Sequence, residues 1–171
     1  MSVPSGIGCT CGVNVNFIAS LSRALSASTP QSSDTIQVAA NLANGAAGGA
    51  ATCNGAYMAK RTFGGATDQI VLRGGSLTDD LGNTISFSAL RLLVVQNTGI
   101  AVITIGGGSN PIPLTNGTTD AITIPAGGIF AWFDGITDAA GMTITAGTAC
   151  NLNVGGTIGQ PWTVLAVGTL V

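Results

Sequence analysis

The side chains that most often carry catalysis are scarce in this chain. Its 171 residues include no histidine and no glutamate, and Lys60 is the only lysine. A Ser-His-Asp or Cys-His arrangement therefore cannot be built. A Ser-Lys pair would need Lys60 buried beside a serine, whereas the adjacent cations Lys60 and Arg61 are typical of a solvated pair. The sequence predicts that the chain is not an enzyme.

Paired carboxylates occur at two places, and each has a structural explanation. Asp79 and Asp80 lie in a stretch typical of a tight turn, where Asp side chains cap nearby amides. With Asn83 they offer oxygens to calcium, but too few to complete its coordination shell. Asp134 and Asp138 are the only candidates for the carboxylate pair of a hydrolase. We predict no bound metal and no cofactor.

The four cysteines, at positions 9, 11, 53 and 150, leave several interpretations open. Cys9 and Cys11 are spaced too closely for the usual zinc knuckle, and no histidine is present to complete a mixed site. The alternatives are four small buried or reduced thiols, one or two disulfides, and a four-cysteine zinc site. If a disulfide forms, Cys53 and Cys150 are the first pair to test.

The low charge of the chain is its most unusual property. Charged residues make up 7% of the sequence, whereas about 25% is ordinary. A net charge of −2 with five scattered cations cannot neutralise a phosphate backbone, so nucleic-acid binding is not expected. Arg91 interrupts the longest apolar run, so no membrane span is expected either. A surface this poor in charge is either covered by other subunits or exposed outside the cell, and we favour burial in a homo-oligomer.

Two regions differ in character along the chain. Residues 1–56 are rich in Gly, Ala, Ser and Asn and are interpreted as an N-terminal extension, beginning with an extended arm over residues 1–16. Within it, the spacing of Phe17, Leu21 and Leu25 predicts one short helix over residues 17–28, with Asn16 at its start and Pro30 beyond its end. A short strand is predicted over residues 35–38.

Residues 57–171 have the pattern of an all-β domain. Turn signals rich in Gly, Pro and Asn recur at short spacing, and they separate nine candidate strands. This pattern predicts a two-sheet antiparallel β-sandwich of jelly-roll type. The candidate strands are Ala59–Phe63, Gln69–Leu72, Thr84–Gln96, Ile100–Ile105, Ala121–Ile124, Ile129–Phe133, Met142–Ala146, Leu152–Val154 and Trp162–Val167.

Two of these strands are apolar on both faces. The run from Leu90 to Val95 is typical of a central strand, and the turn Asn97-Thr-Gly99 predicts an antiparallel hairpin with the strand that follows. The run from Ile129 to Phe133 needs a cover on whichever face turns away from the core. We favour another subunit as this cover, with Phe130 and Trp132 in the contact. The alternatives are a second internal layer and the N-terminal arm folded over the strand.

Several strand-and-turn segments resemble small structural proteins encoded in the head gene clusters of tailed bacteriophages, called decoration, cement or head-stabilising proteins. The resemblance covers residues 57–171. The segments that carry it are Lys60-Arg-Thr-Phe63, Asp68-Gln-Ile-Val-Leu72, Gly74-Gly-Ser-Leu-Thr-Asp-Asp-Leu-Gly-Asn-Thr84, Leu90-Arg-Leu-Leu-Val-Val-Gln-Asn97, Thr104-Ile-Gly-Gly107, Ile124-Pro-Ala-Gly-Gly128 and Met142-Thr-Ile-Thr-Ala-Gly-Thr148.

The resemblance implies a β-sandwich that forms a homotrimer on the outer surface of a phage head, over junctions between major capsid protein subunits. No enzyme activity goes with it. We expect the arm to reach the shell through Val3, Ile7, Val13 and Val15, and Phe130, Trp132 and Trp162 to make subunit contacts. Two alternatives stay open: a phage tail or fibre protein, and a carbohydrate-binding jelly roll in which Trp132 or Trp162 stacks on a sugar.

Overall fold

The computed structural model describes residues 11–22, 31–44, 52–75, 77–78, 82–115, 117–134 and 141–171. Every regular element in these ranges is a β-strand, and they contain no helix. The strands are β1 Cys11–Ser22, β2 Gln31–Asn44, β3 Thr52–Cys53, β4 Gly55–Thr62, β5 Thr67–Val71, β6 Phe87–Asn97, β7 Ile103–Gly106, β8 Ala121–Ile124, β9 Ile129–Phe133, β10 Met142–Thr143, β11 Asn151–Gly155 and β12 Pro161–Leu170.

Strands β4 to β12 form two antiparallel sheets. The large sheet has the order β10-β6-β12-β4, with β9 also paired to β6, and the small sheet has the order β5-β11-β7-β8. The two sheets pack face to face on one apolar core, which confirms the predicted two-sheet antiparallel β-sandwich. Each of the nine predicted strands overlaps one of β4 to β12. The jelly-roll connectivity stays a prediction.

Strand β6 is the central strand that its sequence predicts. It pairs with β12 along its whole length, and β9 and β10 pair with it in turn. Alternate residues such as Leu93 and Val95 enter the core between the sheets, and Leu92 is buried as well although it lies on the opposite face. The strand is therefore enclosed on both faces, which is why it needs apolar residues at nearly every position.

The predicted hairpin between β6 and the next strand is wrong, because the two strands lie in different sheets. The reason is the buried side chain of Asn97. Its Nδ2 donates to the carbonyl oxygens of Ala101, Ile124 and Pro125 at 2.8, 3.2 and 3.0 Å, and its Oδ1 accepts from the N–H of Gly99 at 3.0 Å. These bonds satisfy the backbone of the turn and tie it to the end of β8, so the chain crosses into the small sheet.

The helix predicted over residues 17–28 is also wrong in the part that the structure describes. Residues 17–22 belong to β1, which pairs antiparallel with β2 in a register that sets Phe17 opposite Ile36. The cause is a period of two in the sequence, since Val13, Val15 and Phe17 alternate with polar residues and β2 carries the matching pattern. Residues 11–16 of the predicted arm are part of the same strand, whereas residues 1–10 and 23–28 lie outside the described residues.

A close approach between β12 and β6 gives the first testable prediction. A methyl group on Gly168 would lie 2.0 Å from the carbonyl oxygen of Ala89, at a shift in register between the two strands. We expect Gly168→Ala to reduce the free energy of unfolding by about 1–3 kcal/mol, because backbone must move to admit the methyl. Gly64→Ala is the control, since a methyl there meets nothing within 4 Å. Equal urea denaturation midpoints for the two variants would contradict the prediction.

Candidate association surface

The acidic residues that the sequence singles out are either engaged inside the fold or lie outside the described residues. No group of three or more His, Cys, Asp or Glu side chains there could hold a metal ion. The Asp134 carboxylate is buried and accepts a hydrogen bond from the Arg91 guanidinium, which is buried too. Asp138, the other candidate for a carboxylate pair, lies outside the described residues, as do Asp79 and Asp80. Asp134 therefore serves an internal ion pair.

Arg61 is also engaged within the fold, so the expectation of a solvated Lys60-Arg61 pair is wrong for this residue. Its Nε and Nη2 donate to the two carboxylate oxygens of Asp68 at 2.7 and 2.8 Å, and its guanidinium lies 6.0 Å from the ring centre of Trp162. The hydrogen bonds to Asp68 raise the pKa of Arg61 above its ordinary value. A shallow groove of about 290 Å³ runs beside it, and Arg61 is the only charged residue among the described residues that line it.

Trp162 lies inside the chain's own core. Its side chain is 0% exposed and stacks on Phe63 with ring centres 5.9 Å apart. The prediction that Trp162 contacts another subunit is therefore corrected, because its side chain has no solvent-exposed surface. Because it is buried, Trp162 also cannot stack on a sugar.

The two described cysteines do not form the disulfide that was singled out for testing. Cys150 belongs to the core between the sheets, whereas Cys53 packs with Leu92 and Val167 in a second apolar cluster. The large sheet separates the two clusters, so the two sulfur atoms cannot meet. A Cys53–Cys150 bridge, the first pair to test if a disulfide forms, is therefore absent from the structure.

The face of the large sheet that turns away from the small sheet is largely apolar. We call it the outer face. The pairing registers of β9, β6, β12 and β4 place twelve residues on it, of which nine are apolar and only one is charged. They are Ile129, Ala131, Phe133, Leu92, Val94, Gln96, Thr163, Leu165, Val167, Ala56, Met58 and Lys60.

Burial changes from one end of the outer face to the other. Leu92 and Val167, at the end near Cys53, are 2% and 1% exposed. Toward the other end, Ile129 is 62% exposed and Met58 is 58% exposed, although both lie in strands rather than in loops. Ile129 and Met58 lie on the edge strands β9 and β4, and Val94 and Leu165 between them are partly exposed. Apolar side chains exposed together on a sheet face are characteristic of a contact surface.

The structure reverses the predicted roles of the two faces of β9. Phe130 and Trp132 pair with Val95 and Leu93 and pack against the main core, half-buried. Ile129 lies on the outward side instead. The prediction that Phe130 and Trp132 form the covered face is therefore corrected, because that face carries Ile129. Alternation alone could not decide which face turns inward, because both are apolar.

The remaining predicted contact residues fall in the N-terminal region. Val13 and Val15 lie in β1, and Val3 and Ile7 lie outside the described residues. The sequence reasoning missed Met58 and Leu165, which are paired with each other across β4 and β12. The sequence does indicate them, because each lies in a strand whose apolar residues do not strictly alternate with polar ones.

No family model, no curated protein and no solved structure matches this chain. The described residues include no helix that is long and apolar enough to cross a membrane.

Proposed function

We propose that this chain is a structural protein of a tailed-bacteriophage virion, a capsid decoration protein that works by non-covalent association. In this role it forms a homotrimer with a jelly-roll body, binds the outside of the phage head and stabilises contacts between major capsid protein subunits. Its N-terminal residues, with Val3 and Ile7, reach the shell. No catalytic step belongs to this function.

The observation that carries the proposal is the partly exposed outer face. Ile129 and Met58 are exposed to solvent although they lie in strands. Charged residues make up only 7% of the chain. Leaving such side chains in water costs roughly 25 cal/mol for each Å² of apolar surface, and association recovers this free energy. The near absence of charge also removes the repulsion that keeps soluble monomers apart.

Other uses of the fold have less support. A hydrolase would need two carboxylates at one site, and the Asp134 carboxylate is held by Arg91 in the interior. A carbohydrate-binding module would need an exposed aromatic platform, and Trp162 is buried while Trp132 is packed against the core. The tail or fibre alternative keeps the same associative chemistry and differs only in the partner.

Two measurements test the proposal. Light scattering on the purified chain is expected to give a mass of three copies, and a compact monomer at high concentration would contradict self-association. Cosedimentation with empty heads of the virus that encodes the chain is expected to show saturable binding. Binding to isolated tails but not to heads would instead favour the tail or fibre alternative.

Ile129→Glu is expected to weaken self-association by at least tenfold, because it places a charge in an apolar contact. The control is Ile100→Glu, since Ile100 is 89% exposed and lies in the connection after β6, away from the outer face. The measurement is the dissociation constant of the oligomer from sedimentation equilibrium. An oligomer equally stable in both variants would show that the outer face is not the contact.

A further inference from the structure

Four connections between strands meet at one end of the sandwich. The register of β12 places Pro161 opposite Thr62, and the register of β9 places Ile129 opposite Gln96. The strands therefore leave and re-enter the two sheets side by side at this end. We call it the loop end, and its connections are residues 63–66, 98–102, 125–128 and 156–160.

The loop end carries no charge and exposes aliphatic side chains. None of the residues in its four connections is Asp, Glu, Lys or Arg. Ile100 and Ile158 are 89% and 66% exposed there, and Val102 is exposed as well. The described connections at the opposite end do contain charges, such as Arg73 after β5 and Asp120 before β8. The sandwich therefore has an apolar end and a charged end.

Hydrogen bonds hold the backbone of these connections together. The Oε1 atom of Gln160 accepts from the N–H of Ile100 at 2.8 Å, and the carbonyl oxygen of Gln160 accepts from the N–H of Phe63 at 3.1 Å. The Nδ2 atom of Asn97 donates to the carbonyl oxygen of Pro125 at 3.0 Å, which ties in the remaining connection. The exposed side chains are thus presented on a fixed backbone, so a contact made through them costs little ordering of the chain.

The area and the chemistry of the loop end limit what can cover it. A stable dimer buries about 800 Å² on each partner, and three aliphatic side chains on short connections cannot supply that area to a second copy. Loops that insert into membranes rely on Lys or Arg for the headgroups and on Trp or Tyr at the interface. The loop end contains none of these residue types. The occupant that fits is an uncharged, apolar depression on another protein.

We propose that the loop end seats the oligomer on the capsid shell, with Ile100, Val102 and Ile158 entering an uncharged apolar depression of the shell protein. This inference rests on the proposed function and names the part of the sandwich that meets the shell, in addition to the N-terminal residues. The copies of a cyclic oligomer are related by rotation about one axis, so their loop ends lie at the same level along it. A trimer then presents three such contacts to the repeating shell, and together they bind far more tightly than one alone.

Charges of either sign at the loop end test the contact. Ile100→Glu, Ile100→Lys and Ile158→Glu are each expected to weaken cosedimentation with empty heads by at least tenfold, because a charge would have to leave water for an apolar depression. Both sites are exposed, so the variants are expected to fold and self-associate like the unmodified chain. Val171→Glu is the matched control and is expected to bind normally, since Val171 is also exposed but follows β12 at the opposite end.

The outcomes separate this inference from the proposed function. If the unmodified chain binds heads and the loop-end variants bind equally well, the loop-end contact is overturned and the function is left intact. If Ile100→Glu weakens binding and Ile100→Lys does not, the contact is with an acidic surface and the apolar depression is rejected. Heads that do not bind even the unmodified chain would reject both the contact and the capsid role. A loss confined to the loop-end variants, with Val171→Glu binding normally, supports both.

Discussion

Asp134→Ala is expected to reduce the free energy of unfolding by about 3–5 kcal/mol, because it removes one carboxylate from a buried ion pair with Arg91. Arg91 is 1% exposed, and the pair lies where β9 ends beside β6. The backbone is tied at the same place, since the N–H of Asp134 donates to the carbonyl oxygen of Arg91 at 2.9 Å. The measurement is the urea denaturation midpoint. The slope of the transition is compared with that of the unmodified protein, because an unchanged slope indicates that two-state behaviour is kept.

A double variant controls for the loss of packing alone. Arg91→Met combined with Asp134→Leu removes both charges and keeps most of the side-chain volume, so we expect it to be markedly more stable than Asp134→Ala. A double variant as unstable as the single one would show that the hydrogen bonds of the pair, rather than the buried charge of Arg91, decide the effect.

Trp162→Ala is expected to reduce the free energy of unfolding by about 3–5 kcal/mol, the usual cost of removing a large aromatic side chain from a core. Trp162 is fully buried, stacks on Phe63 and lies under Arg61. Since domains of this size are stable by roughly 5–15 kcal/mol, this loss is a large fraction of the total stability.

Trp162→Phe is the matched control. The indole Nε1 is buried and has no hydrogen-bond partner within the described part of the chain, so its removal sacrifices no bond. We expect a loss of about 1–2 kcal/mol, from the smaller ring alone. Equal losses for Phe and Ala would mean that the indole N–H contributes a contact of its own.

The sandwich was predictable because its signals are local. Glycine- and proline-rich turns mark where strands end, and the apolar run from Leu90 to Val95 identifies the central strand without any tertiary information. What failed depended on partners far away in sequence. The turn after Asn97 has a hairpin's composition, yet its geometry is set by carbonyl groups of Ile124 and Pro125, which no local pattern reveals.

The candidate surface was predictable only in part. The sequence shows that β9 is apolar on both faces and that one face needs a cover, but the register with Leu93 and Val95 decides that Phe130 and Trp132 turn inward. The helix prediction relied on the spacing of Phe17 and Leu21, which fits a period of two as well as one of nearly four. A complementary strand at residues 31–44 resolves that ambiguity, and it becomes visible only when the two segments are compared.

Strand β12 lies between β4 and β6, yet it is made after both of them. During translation, β4 and β6 leave the ribosome with unpaired edges, and these edges stay open until residues 161–170 have emerged. The large sheet can close only then. Until then, the open strand edges of the nascent chain can pair with other chains and aggregate. The duration of this period depends on how fast the ribosome translates the codons between β6 and β12.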